Sequence, residues 1–229
     1  MPTTQDQVIA TPELLELILT QLPMRSLLVT APLVSKTWQA TTLTPTLQRA
    51  LFFLPDPSSP PVQNPLLAEL FPPFFVEEPD DDNSRTWSQP GSATSIMAMP
   101  WAKAPDAFKR ADASWRRMLV TQPLAQTMAI TETRSTRGGR SQRYAVLKLE
   151  ALTMGVLYDL AVRFIDRQSS SFCIHWHHTG SHGDLTLAVR YSLGCVRYSG
   201  RVWVDKQFKS EAGKVVKVDF GEWKPVSRR

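Results

Sequence analysis

The sequence predicts an α+β fold: a helical N-terminal module, then a domain built on a mostly antiparallel sheet with helices packed on it. Three stretches carry this prediction. Near the start, Leu14, Leu15, Ile18, Leu19 and Leu22 recur at helical spacing. In the middle, Met154, Leu157, Tyr158, Ala161, Phe164 and Ile165 repeat that period. Beyond residue 170 the period becomes two. Phe172, Ile174 and Trp176 alternate with Cys173, His175 and His177, and Leu185, Leu187, Val189 and Tyr191 alternate with Thr186, Ala188 and Arg190.

The first helix opens with Thr11 as N-cap, Pro12 at the first helical position and Glu13 in the first turn, and Pro23 stops it. Leu27 and Leu28 begin a short second helix that Ala31-Pro32 ends. Val34 and Trp38, four residues apart, mark the inner face of a third. A segment of fewer than about 40 residues rarely holds a core alone. Leu17, Val29 and Leu33 also lie off the main stripes. Some apolar surface is therefore expected to await a partner, with a helix laid in a groove as the natural mode.

At this point a resemblance becomes specific. Pro12-Glu13-Leu14-Leu15, Ile18-Leu19, Leu22-Pro23, Leu27-Leu28 and Val34-Ser35-Lys36 with Trp38 resemble an F-box of the fungal type, in order and in spacing. The chain departs from the family at Thr11, where an apolar residue is usual. The likeness covers roughly the first fifth of the chain. It implies a three-helix module that docks on the Skp adaptor of a Skp–cullin–F-box ubiquitin ligase and recruits a protein substrate for ubiquitination. Carried over position by position, the docking residues would be Pro12, Leu14, Leu15, Ile18, Leu19, Leu22, Pro23, Leu27, Leu28, Val34 and Trp38. On this reading, aspartate at both Leu15 and Leu19 abolishes docking. The alternative is a Skp-binding scaffold outside a ligase.

Thr44-Pro45 opens a following helix with Leu47, Ala50 and Leu51 on one face. The breaker cluster Asp56–Pro61 sets the expected boundary. Residues 8–54 would hold the F-box with its following helix, and 55–229 an α+β domain for substrate binding or interaction. Within that domain Asn64-Pro65 starts an apolar helix to Leu70, with Phe71, Phe74 and Phe75 as core anchors. The acidic run 77–82 and the polar stretch to 99 read as an irregular, disordered loop. From Asp106 a helical stripe returns with Phe108, Ala111, Trp115, Met118 and Leu119. Arg134, Arg137, Arg140 and Arg143 recur every third residue around Gly138-Gly139. A disordered basic loop at 131–143, pairing with the acidic run, is expected over a phosphate-binding one. Tyr144–Leu149 reads as a strand. Val202, Val204, Val216, Val218 and Phe220 extend the period-two pattern.

Composition bounds the function. A net charge of +5 with scattered basic residues gives no argument for nucleic acid. Two cysteines, Cys173 and Cys195, make no disulfide framework and suit a reducing compartment. No basic-then-apolar leader and no 18-residue apolar run appear, so no membrane partner is expected and the cytoplasm or nucleus is the expected location.

No catalytic residues and no cofactor are expected. The chain has no G-x-S-x-G and no Gly-rich phosphate loop. His175 and His177 would share one strand face about 7 Å apart, and His182 could reach back across a turn. These three form a weak zinc candidate. A solvent-facing strand tolerates histidine equally well.

Overall fold

In a computed structural model, residues 11–76, 90–136, 138–165, 170–176, 184–193 and 222–226 are described. The fold is α+β. The chain forms two compact units. One holds the residues up to Leu66 together with Met118–Leu124, and the other holds Leu67–Arg117 with everything from Ala125 on.

The first unit is helical. Helices α1 (Pro12–Leu19), α2 (Met24–Val29), α3 (Ala31–Val34), α4 (Lys36–Thr41) and α5 (Pro45–Ala50) follow one another through short turns. Proline stands in the first turn of α1, α3 and α5, where its missing N–H costs nothing. Ser35 is extended, and its hydroxyl accepts the Trp38 N–H at 3.2 Å as the N-cap of α4. Ser35 therefore splits the expected third helix. Val34 ends α3, Trp38 sits in α4, and the two share no helical face.

Leu15, Leu19, Leu27, Ala31, Leu47 and Leu51 form the core of this unit, with Leu22, Met24, Leu28, Trp38 and Phe53 packed at its rim. A return segment completes it. The two-residue strands β1 (Val62–Gln63) and β3 (Thr121–Gln122) pair antiparallel. The Leu119 N–H donates to the Phe52 carbonyl, and the Asn64 side-chain amide donates to the Leu119 carbonyl. The Gln122 amide reaches the carbonyls of Arg49 and Leu54. The expected boundary at residue 55 is thus corrected. Chain from 55–66 and 118–124 belongs with the helices, because it satisfies backbone groups that the helices leave open.

In the second unit a six-stranded sheet runs in the order β2 (Gly91–Ser92), β6 (Ser170–Trp176), β7 (Leu185–Leu193), β4 (Thr127–Thr136), β5 (Gly139–Lys148), β8 (Lys224–Pro225). Among the described residues only β4 and β7 pair in parallel. Asp184 fixes their alignment, its carboxylate accepting from the backbone of Gln126 and Thr127 and from the Thr127 hydroxyl. Register puts Met128, Ile130 and Glu132 on one sheet face with Leu185, Leu187, Val189, Phe172 and Ile174. Helices α6 (Pro65–Leu70) and α7 (Pro72–Phe75) precede the sheet in the chain, and helix α11 (Met154–Ile165) packs against β6 and β7.

Three expectations fail here. Residues 131–136 and 138–143 are not a disordered loop but belong to a hairpin, with ten paired positions between β4 and β5. Residues 91–97 are not irregular either, since Gly91–Ser92 pairs with β6 and Ser92 caps the helix α8 (Ala93–Met97). The stripe expected from Asp106 is broken as well, into α9 (Pro105–Lys109) and α10 (Ser114–Arg117). Between them Phe108 stacks on Trp115 at 4.5 Å, and the Trp115 indole donates to the Phe108 carbonyl. The segments carrying Val202 to Phe220 and the turn at Gly180 lie outside the described residues.

Gly155 marks a close approach. A β-carbon there would lie 2.7 Å from the Arg116 carbonyl oxygen. Alanine normally gains about 1 kcal/mol over glycine in a helix. Overpacking a tight contact costs about 1–3 kcal/mol. Gly155→Ala is therefore expected to lower the melting temperature despite its helix propensity, and a raised melting temperature in thermal unfolding would contradict this packing.

Candidate docking face

The candidate site lies on the helical unit. A helix advances 100° per residue, so Leu14, Leu17 and Ile18 form one stripe of α1, while Leu15 and Leu19 form another about a quarter-turn away. The second stripe is in the core, and the first is exposed, Leu17 at 64%. On the following helices Val29 and Val34 are exposed, and Leu33 is 82% exposed. Six large aliphatic side chains thus stand in solvent on a unit whose interior is already filled by other leucines.

The eleven residues carried over from the family divide three ways. Pro12, Leu14, Ile18, Pro23 and Val34 are exposed. Leu22, Leu28 and Trp38 are half-buried against the core. Leu15, Leu19 and Leu27 are buried, with no side chain left to touch a partner. Aspartate at Leu15 and Leu19 would thus bury two charges and unfold the module. It tests the core, not docking. Leu43, 69% exposed in the turn after α4, was missed by the periodicity because it lies in no helix.

Among the described residues no three metal-ligating side chains come together. His175 is half-buried on β6 opposite Thr186, while His177 and His182 lie outside the described residues.

The basic series is placed by the hairpin. Glu132 is buried, and both Arg134 and Arg143 pair with its carboxylate. The expected partner, the acidic run 77–82, lies outside the described residues. Arg137 also lies outside them, and Arg140 is exposed beside the turn. Elsewhere Arg116 pairs with Asp159, both largely buried. Burial pushes the Asp159 carboxyl above the ordinary carboxylate range even though Arg116 pulls it the other way. Burial likewise raises the neighbouring Tyr158 phenol, which stays neutral inside the aromatic core.

No helix among the described residues is long and apolar enough to cross a membrane. Comparison with protein-family models, with curated proteins and with solved structures finds no match.

Proposed function

We propose that this chain is an F-box-type adaptor: its helical unit docks on the Skp adaptor of a cullin–RING ubiquitin ligase, and the rest of the chain recruits a protein substrate. One observation supports the reading above all. The leucine pairs of the motif split into an internal member, Leu15 or Leu19, and an exposed member, Leu14 or Ile18. A module needing its apolar residues only for its own core has no use for the second set, which leaves an exposed apolar stripe on α1 for a partner. The six exposed aliphatics fit a groove-and-helix contact.

The chemistry is positional. The chain bears no nucleophile in this reading, and ubiquitin transfer is carried out by other subunits. Holding a substrate beside the loaded enzyme converts a bimolecular encounter into an effectively intramolecular one.

Mixing the purified chain with purified Skp and resolving the mixture by size-exclusion chromatography tests this directly. A one-to-one complex is expected. Two separate peaks from two folded proteins would overturn it.

A further inference from the structure

We propose that the outer edge of β5 is a strand-addition site for an extended peptide with an aromatic anchor and acidic flanks, and that residues 222–226 of this chain occupy part of it as a displaceable strap. The inference stands on the second unit alone and is independent of what the helical unit binds.

The strap's ladder is short: among the described residues Lys224 and Pro225 pair with β5, opposite Tyr144 and Arg143, and the Val226 N–H donates to the Gln142 carbonyl. Glu222, Lys224, Pro225 and Val226 are all exposed. Two-residue strands contribute few ladder bonds, and isolated strand pairs are marginal in water.

The edge continues beyond the strap. Backbone direction alternates along a strand, so the outward carbonyl of Gln142 implies outward backbone groups at Tyr144, Val146 and Lys148. Among the described residues nothing pairs with Val146 or Lys148 on that side, and both side chains are exposed. Unpaired edge groups of this kind are a template for an added strand. A longer peptide would satisfy positions that the strap leaves open.

The site also has a preformed anchor. The Arg143 guanidinium lies 4.3 Å from the Trp223 ring centre and is held from beneath by the buried Glu132 carboxylate. An aromatic side chain delivered there meets a cation already in place. Charge decides the flanks. The strand carries Arg140, Arg143 and Lys148 and no acid, and Glu132 on β4 already meets the Arg143 charge. A second copy pairing edge to edge would set like charges against each other, whereas an acidic peptide would not.

The register fixes a probe. The nonapeptide DTVWTVVTD, run antiparallel, sets its tryptophan opposite Ala145 and its aspartates opposite Lys148 and Arg140. The full chain would be compared with two variants that release the strap independently, Trp223→Ala and Val226→Pro. Labelled peptide is expected to bind either variant at least tenfold more tightly than the unaltered chain. Amide exchange at Val146 and Lys148 should slow on binding. Absence of binding to both folded variants, equal affinity for all three chains, or binding that leaves those amides unprotected would overturn the proposal. So would dimerisation of the released variants in place of peptide binding.

Discussion

Leu14→Asp with Ile18→Asp is expected to leave the chain folded and to abolish the proposed complex with Skp. Both side chains project from α1 into solvent, 43% and 45% exposed, so neither substitution touches the core. Surface changes of this kind shift stability by about 0.5 kcal/mol. On docking, each aliphatic side chain, already more than half covered, would contribute about 1 kcal/mol by leaving water. Removing both, and burying two carboxylates instead, costs at least about 4 kcal/mol, or roughly a thousandfold in affinity. The necessary control is Leu15→Asp, which attacks the core from the same helix and should lose both the fold and the complex. Melting curves separate the two cases. If the Leu14/Ile18 variant melts as the parent chain does and still co-elutes with Skp, the docking face on α1 is wrongly placed.

This pair of variants also marks how far the sequence could be read. The spacing of Leu14, Leu15, Ile18 and Leu19 fixes a helix and an apolar arc, but both stripes lie within that arc. Which one turns inward depends on Leu47 and Leu51, some thirty residues away, and on Leu27. No local pattern contains that information. The break at Ser35 was legible in principle, since serine followed by Lys36 and Trp38 has the form of an N-cap. The apolar i, i+4 match of Val34 and Trp38 outweighed it.

The sheet divides in the same way. Strands β6 and β7 alternate apolar and polar residues and could be read directly. The hairpin of β4 and β5 could not. One of its faces carries Glu132, Arg134 and Arg143, which a hydrophobic pattern counts as loop. Glu132 is tolerated in the interior because two half-exposed arginines meet its charge. The parallel pairing of β4 with β7, fixed by Asp184 from more than fifty residues away, lies equally beyond a local reading. The return of residues 118–124 to the helical unit is a third non-local feature, held by the amide of Gln122 and the carbonyl of Phe52.

Breaking the ion pair of Arg116 with Asp159 should strongly destabilise the second unit. Side-chain exposure is 14% for Arg116 and 9% for Asp159, so neither group is well solvated. Removing one member of such a pair leaves an uncompensated charge and costs about 3–5 kcal/mol. Arg116→Met keeps the aliphatic bulk and removes the guanidinium. At neutral pH it should therefore destabilise by about 3 kcal/mol. The pH dependence identifies the cause. Burial already holds the Asp159 carboxyl above its ordinary 3.8, and losing Arg116 raises it further. A carboxyl raised in the fold binds more protons folded than unfolded, so its stability contribution is full below the unfolded value and is lost as pH rises through the folded one. The deficit of Arg116→Met should accordingly be greatest at neutral pH and narrow as the solution is acidified and Asp159 takes up its proton in both chains. A small remainder is expected from the lost cation–π contact of Arg116 with Trp115, 5.0 Å from the ring centre. Thermal unfolding of both chains across that pH range reads the difference. A deficit that stays constant from neutral to acid would assign the loss to packing around Arg116 and not to the charge on Asp159.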